Sequence, residues 1–204
     1  MLSKPSELGF DDNGFIIPPL KITEHIIEFG KPLPGQLFTK KAETLSERRE
    51  ARRESISEKA DVIKRLTSNG EPWLIWCDLN RESELIAGAT NDAVEVTGSQ
   101  ENEVKEERLM GFIRGDHRIL VTKPKIAGFG LNLQHCHNVI FAGLSDSYEA
   151  FYQAIRRCWR FGQKHEVNCH IIATDIEGNV IDNIKRKEAD ALRMRAEMIT
   201  HMKD

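Results

Sequence analysis

Residues 117–144, HRILVTKPKIAGFGLNLQHCHNVIFAGL, set two short apolar runs on either side of a glycine-containing turn. HRILVT (117–122) and NVIFAGL (138–144) have the length and β-branched composition of buried strands. Between them, TKPKIAGFGLNLQ (122–134) carries Gly128-Phe129-Gly130 where a strand hands over to a helix. Runs of the same kind recur at PWLIWCDL (72–79), AVEVTG (93–98) and VNCHIIAT (167–174). Helical patterns at about 81–89, 102–113, 147–158 and 179–203 alternate with them. Strands alternating with helices predict an α/β fold, a mostly parallel sheet covered on both faces through right-handed crossovers. Ligands of such sheets sit beyond the carboxyl ends of strands, here the loops after Val121 and Leu144.

The N-terminal third reads differently. Residues 1–39 are rich in Pro and Gly, with short strand-like runs around Phe15–Ile17 and His25–Phe29, and form an extended lead-in. Residues 40–68 hold many charges, yet Ile56, Ala60, Ile63 and Leu66 recur at helical steps. We expect a charged helix with one packed stripe and a solvated face, ended by Asn69-Gly70.

Composition narrows the function classes. With 204 residues, 40% hydrophobic and 30% charged, the chain can bury a real core. Lys+Arg 29 against Asp+Glu 32 leaves a net charge of -3, so any polyanion site is a local patch and not the whole surface. The four cysteines stand apart at 77, 136, 158 and 169, as expected of a reducing, cytoplasmic compartment. Neither a signal peptide nor an apolar run approaching about 18 residues is visible.

Two stretches could carry chemistry. Glycines at Gly128 and Gly130 let a backbone approach a phosphate and expose N–H groups to it, although a tight strand-to-helix turn needs the same glycines. QAIRRCWRFGQ (153–163) places Arg156, Arg157 and Arg160 within five positions. On a helix, Arg156 and Arg160 are i, i+4 neighbours and Arg157 and Arg160 i, i+3 neighbours, each like-charge pair costing about 0.2–0.5 kcal/mol. An anion offsets that repulsion, and the guanidinium fork suits a phosphate. The alternative is arginines snorkelling over Trp159 and Phe161 or pairing with acids of other segments.

Other patterns are weaker. QHCHN (134–138) has His135, Cys136 and His137 in a row but lacks a second ligand pair at zinc spacing, so no metal site is expected. Cys158 near His165 has no oxyanion-hole motif beside it and reads as packing. A dinucleotide site at AGFG would require an acid ending the next strand, which instead ends in Gly143-Leu144, with Asp146 beyond. No GxxxxGK[ST] phosphate loop and no acidic DE-x-[DH] box occur, so the arginines stand without a nucleotide cradle.

The order of elements and these motifs together resemble the second RecA-like lobe of a superfamily 2 helicase, in particular the Swi/Snf-type translocases and their bacteriophage or prophage members. KIAGFGLNL (125–133) resembles helicase motif V, and QAIRRCWRFGQ resembles motif VI with Gln153, Arg157, Arg160, Gly162 and Gln163 on its fixed positions. EPWLIWCDL resembles the motif IV strand and VTGSQ the Gly-Ser segment after the next strand, while Arg108 and Phe112 fit the helix leading to ILVT. Ile155, Arg156 and Trp159 depart from the acidic, acidic and His residues common in chromatin-remodelling members. The resemblance spans about residues 70–175, with 176–204 as a C-terminal helix.

The resemblance implies a half-site. The chain would be the second motor lobe of an ATP-dependent DNA helicase or translocase, its partner an N-terminal lobe of the same parent polypeptide that supplies the phosphate loop and the Mg2+ carboxylates. Arg157 and Arg160 would be arginine fingers on ATP, with Gln153, Gly128 and Gly130 ordering the cleft. Lys125, Asn132 and Ser99 would contact the DNA backbone. Such a lobe alone should bind neither ATP nor Mg2+ and should not hydrolyse ATP at a useful rate. A stand-alone nucleic-acid-binding or regulatory module with this fold and no motor activity is the alternative.

Overall fold

Each residue of Trp73–Trp76, Ile119–Thr122 and Asn138–Phe141 is buried, and these three strands (β2, β4 and β5) form the middle of the sheet. A run without polar alternation is what a parallel strand covered on both faces requires. The computed structural model describes residues 11, 16–28, 44, 50, 53–126, 131–177 and 180–203. Ala93–Glu95 (β3), Val167–Thr174 (β6) and Leu20–Ile27 (β1) complete a six-stranded sheet in the order β1-β6-β5-β2-β4-β3. Every pairing is parallel.

β1 differs from the expected runs at 15–17 and 25–29. The strand begins directly after Pro19, whose carbonyl accepts from the Val167 N–H at 3.0 Å, and pairs with β6 from Leu20↔Val167 to Ile27↔Thr174. As an edge strand it carries Lys21 and Glu24 exposed or half-exposed along LKITEHII, a polar content that marks edges and masks them in a sequence.

The helices divide between the faces because side chains alternate along each strand. Leu74, Trp76, Leu120, Val139 and Phe141 pack with Phe112 of α3 (Asn102–Arg114), Phe151 of α4 (Tyr148–Ile155) and Ile184 of α5 (Val180–Lys203). On the opposite face Ile75, Val121, Ile140 and Ile172 pack with Ile63 of α1 (Ile56–Leu66) and Ile86 of α2 (Asn80–Ala89). Each fully buried aliphatic contributes about 1.5–3 kcal/mol relative to exposure. α1 closes through a 3-10 turn, Thr67–Asn69, onto Gly70 at φ +80.

The charged face of α1 is not uniformly solvated. Lys59 is fully buried, and its Nζ donates to Glu177 Oε1 at 2.8 Å and to the Ala142 carbonyl at 3.0 Å, with Glu82 Oε1 3.9 Å away. The second oxygens of the two acids cap backbone: Glu177 Oε2 accepts from the Thr174 N–H at 2.6 Å, and Glu82 Oε2 from the Asp78 N–H at 2.8 Å. One buried cation thereby joins α1 to the ends of β5 and β6 and the start of α2.

The β4-to-β5 connection also departs from expectation. Leu131–His137 form no helix, so the anticipated handover after the glycines is absent among the described residues. The segment is fixed instead by the Leu133 N–H donating to the Arg157 carbonyl at 3.0 Å.

Candidate functional site

Ser147 starts α4 by accepting from the Ala150 N–H at 3.2 Å, and the helix ends at Ile155, short of the expected 158. The Arg157 and Cys158 N–H groups bond three residues back, to Ala154 at 3.3 Å and Ile155 at 3.0 Å, tightening the last turn. Arg160 therefore lies beyond the helix, and the i, i+3 and i, i+4 spacing expected for it does not apply. Neither does Cys158 lie within the helix.

Gln163 holds the chain in this turn. Its buried amide donates from Nε2 to the carbonyls of Gln134, Cys136 and Cys158 at 2.9, 3.2 and 3.3 Å. Its Oε1 accepts from the Lys164 and His165 N–H groups at 2.9 and 3.0 Å. Gly162 is required at φ +90, and a Cβ there would also stand 3.0 Å from Gln134 Oε1.

The turn separates the arginines. The Arg156 guanidinium lies over the rings of Trp159, Tyr152 and Phe161, at 5.4, 5.9 and 6.0 Å from their centroids. Arg157 instead lines a cavity of about 250 Å³ with Gln153, Lys125 and Trp76. Burial, and then the neighbouring Arg160 charge, lower the Arg157 pKa from the usual arginine value. Arg157 thus lines a void whose described lining has no carboxylate, with a second positive charge, Arg160, near enough to act on it.

Lys125 also lines a second, more open cavity of about 550 Å³ with Gly98, Lys105, Ile126 and Leu131. Ser99 and Thr97 share a hydroxyl contact of 3.2 Å next to Gly98. Asn132 is exposed, its Oδ1 accepting from the Gln134 N–H at 3.2 Å. Gly128 and Gly130 lie outside the described residues.

The remaining candidates separate. His135 packs on Phe112 with ring centroids 4.8 Å apart, and His137 lies 5.0 Å from His165. Among the described residues no group of three His, Cys, Asp or Glu side chains is placed to hold a metal ion. Cys158 is buried, and its hydrogen bond with Cys136, then burial, push its thiol pKa well up, as for a packing residue. No described helix is long and apolar enough to cross a membrane.

Trp76, at the carboxyl end of β2, is the lining residue of the first cavity that the sequence does not announce, because a buried aromatic there reads as core.

Comparison with known proteins agrees with the fold. The model of the helicase conserved C-terminal domain matches residues 58–162, just over half of the chain. Among solved structures, the C-terminal part of the Fun30 ATPase domain is similar at 25% identity and a TM-score of 0.54, over 62% of this chain and 44% of that one. A DEAD box protein from the hyperthermophile Methanococcus jannaschii is similar in fold at 21% identity and a TM-score of 0.55, over 64% of this chain and 37% of that one. The chain thus spans less than half the length of either structure. No curated protein matches it in sequence. The parallel six-stranded sheet between helices is the RecA-like fold of a helicase C-terminal lobe. By its matched residues, 58–162, the chain belongs to the helicase conserved C-terminal domain family.

Proposed function

We propose that the chain is the second motor lobe of an ATP-dependent DNA helicase or translocase of the Swi/Snf type, working with an N-terminal lobe that supplies the phosphate loop and the Mg2+ carboxylates. The observation that supports this most directly is the clamped turn after α4. It turns Arg157 into a cavity shared with Lys125 and Gln153 whose described lining has no carboxylate, with the Arg160 charge near enough to lower the Arg157 pKa. An anion between two such charges relieves their repulsion, and planar guanidinium forks match phosphate oxygens.

In this reading Arg157 and Arg160 are fingers that stabilise charge on the transferring phosphoryl group of ATP, a role worth about 10³ to 10⁵ in rate. Gln153, which lines the same cavity as Arg157, orients that group; Gly128 and Gly130, outside the described residues, are further candidates for the ATP side. Lys125 touches both cavities and so links the nucleotide side to the surface where Ser99 and Asn132 would meet the DNA backbone. The departures at Arg156 and Trp159 are one feature, since the two side chains stack, and they favour a bacteriophage-type member over a chromatin remodeller.

The test is DNA-stimulated ATP hydrolysis, measured on this chain alone and on the chain joined to a lobe carrying the phosphate loop and the DE-x-[DH] box. Activity only in the joined protein is expected. Turnover by the chain alone would refute the half-site, and no turnover in either with DNA binding retained would make it a binding module.

A further inference from the structure

The two prolines before β1 give the chain entering the sheet no N–H, so at these positions only carbonyls can tie it down. The two carbonyls go to different places. Pro19 accepts from the Val167 N–H of β6 at 3.0 Å, whereas Pro18 accepts from the Trp159 indole Nε1–H at 2.7 Å, across 141 positions of sequence. Trp159 stands between Arg157 and Arg160 in the turn after α4. The residue before it, Cys158, has its carbonyl held by Gln163 at 3.3 Å. Consecutive residues of the turn are therefore held from two sides, one by the lobe itself and the other by the segment leading into it.

The hold from Pro18 is a narrow one. Pro18 and Pro19 line a cavity of about 350 Å³ together with Tyr152, Arg156 and Trp159. A segment beside a void has fewer packing partners, so the indole bond carries more of what joins residues 16–19 to the turn. Each proline ring fixes φ near about −65°, so positions 18 and 19 pass a displacement on where flexible residues would absorb it. Phe at 159 would still lie under the Arg156 guanidinium, 5.4 Å from the Trp159 ring, but would have no N–H for Pro18.

We infer that Pro18 and Trp159 form a strap that sets the turn bearing Arg157 and Arg160 according to where the chain ahead of β1 is held, with Trp159 a positioning residue for hydrolysis. The inference rests on the reading of Arg157 and Arg160 as fingers, in which an N-terminal lobe precedes this segment in the parent polypeptide. A shift of that lobe reaches the arginines through residues 16–19 without passing through the cleft.

Two variants cut the strap in different ways. Trp159→Phe removes the N–H and keeps a ring, while Pro18→Gly with Pro19→Gly keeps both carbonyls and removes the stiffness. In the full chain labelled with 15N, with arginine Nε–H resonances assigned by Arg→Ala variants, each should shift the Arg157 and Arg160 signals. Trp73→Phe, on the opposite face of the sheet, where the indole donates to Asn69 Oδ1 at 2.9 Å, should leave them in place. In the joined two-lobe protein each strap variant should lower kcat by about fivefold to tenfold, the size of one hydrogen bond, and leave KM for ATP unchanged. Combining the variants should add nothing to the larger single effect, because both cut one link.

Arginine signals unmoved in both variants would overturn the strap. So would an unchanged kcat beside a lowered melting temperature, since an anchor for the sheet edge alone moves only stability; hydrolysis still abolished by Arg157→Ala would then leave the fingers standing without the strap. If the arginine signals move but neither the strap variants nor Arg157→Ala changes kcat, the finger reading fails and the rate role of Trp159 fails with it. The glycine variant leaves every core side chain in place, so it decides the outcome if Trp159→Phe does not fold.

Discussion

Arg156 and Arg157 are consecutive, yet the Arg156 guanidinium sits 5.4 Å over the Trp159 ring while Arg157 lines the cavity with Gln153 and Lys125. The end of α4 at Ile155 sends neighbouring side chains to different surroundings, so one arginine is held by aromatic faces and the other reaches the cavity wall.

This difference predicts opposite phenotypes. In the joined two-lobe protein, Arg157→Ala or Arg160→Ala should lower the hydrolysis rate by about a thousandfold or more, with thermal unfolding little changed. Arg156→Ala should leave the rate within a few fold. It should instead cost about 1 kcal/mol of stability through lost cation–π contacts, about 2–4 °C in melting temperature. Steady-state kinetics beside thermal scans of the three variants reads both axes, and equal small kinetic effects would remove the fingers.

Gln163 should matter to rate through structure. Gln163→Ala strips partners from the Gln134, Cys136 and Cys158 carbonyls and from two backbone N–H groups in a buried turn. At about 1–3 kcal/mol per buried orphan group, partly relieved by entering water, we expect a loss of about 3 kcal/mol in urea unfolding. Hydrolysis in the joined protein should fall with it, since the turn presents Arg157 and Arg160. A stable, fully active Gln163→Ala variant would show that the clamp does not position them.

The legibility of these features follows burial. β2, β4, β5 and β6 showed as apolar runs because neighbouring layers cover their faces, and the half-buried edge strand β3 showed through Ala93 and Val94. β1 did not, since an edge strand keeps Lys21 and Glu24, and Pro18-Pro19 before it looks like loop. The end of α4 was misplaced because Cys158 and Trp159 continue a helical apolar pattern, and what stops the helix is the tertiary hold of Gln163 and Gly162. Arg157 stood out because three arginines in five positions are conspicuous, and Gln153 because it falls on a fixed position of the motif the stretch resembles; both line one cavity. Trp76 did not, because a fully buried aromatic at a strand end looks the same as core. Lys59 was hidden for the converse reason: in a run of charges nothing marks the one that faces inward.

Lys59→Met should be among the most destabilising single changes in the lobe. It leaves the buried Glu177 carboxylate without its cation at 2.8 Å and Glu82 without its neighbour at 3.9 Å. Breaking one side of a buried ion pair costs about 3–5 kcal/mol. Lys59→Met combined with Glu177→Gln should recover part of that loss, because the amide carries no charge and its Nε2 or Oε1 can still bond. Denaturant midpoints of the single and double variants check this, and a double variant no better than the single would place the penalty in packing.

Acidification should weaken the edge of the sheet where β1 meets β6. His25 Nε2 and His170 Nδ1 lie 2.9 Å apart across those strands, and one proton serves that bond, so adding a second sets two cations face to face. Lys21 and Arg65 add positive charge nearby, and the Trp73 ring covers His170. Burial first lowers both histidine pKa values below the usual 6.5, followed by Arg65 for His25 and by His25 and then Lys21 for His170. A group whose folded pKa is depressed binds its proton more readily unfolded. Between the folded value and 6.5 the unfolded chain therefore holds more protons, and stability rises with pH. Urea unfolding should give a lower stability at about pH 5.5 than at about pH 7.5, near or above the usual histidine value. His135 and His137, also lowered chiefly by burial, add to the same slope. His170→Phe keeps a ring against Trp73 and removes one titrating group of the pair, so the difference between the two pH values should shrink. A His170→Phe slope equal to that of the unmodified chain would assign the acid sensitivity to the other histidines.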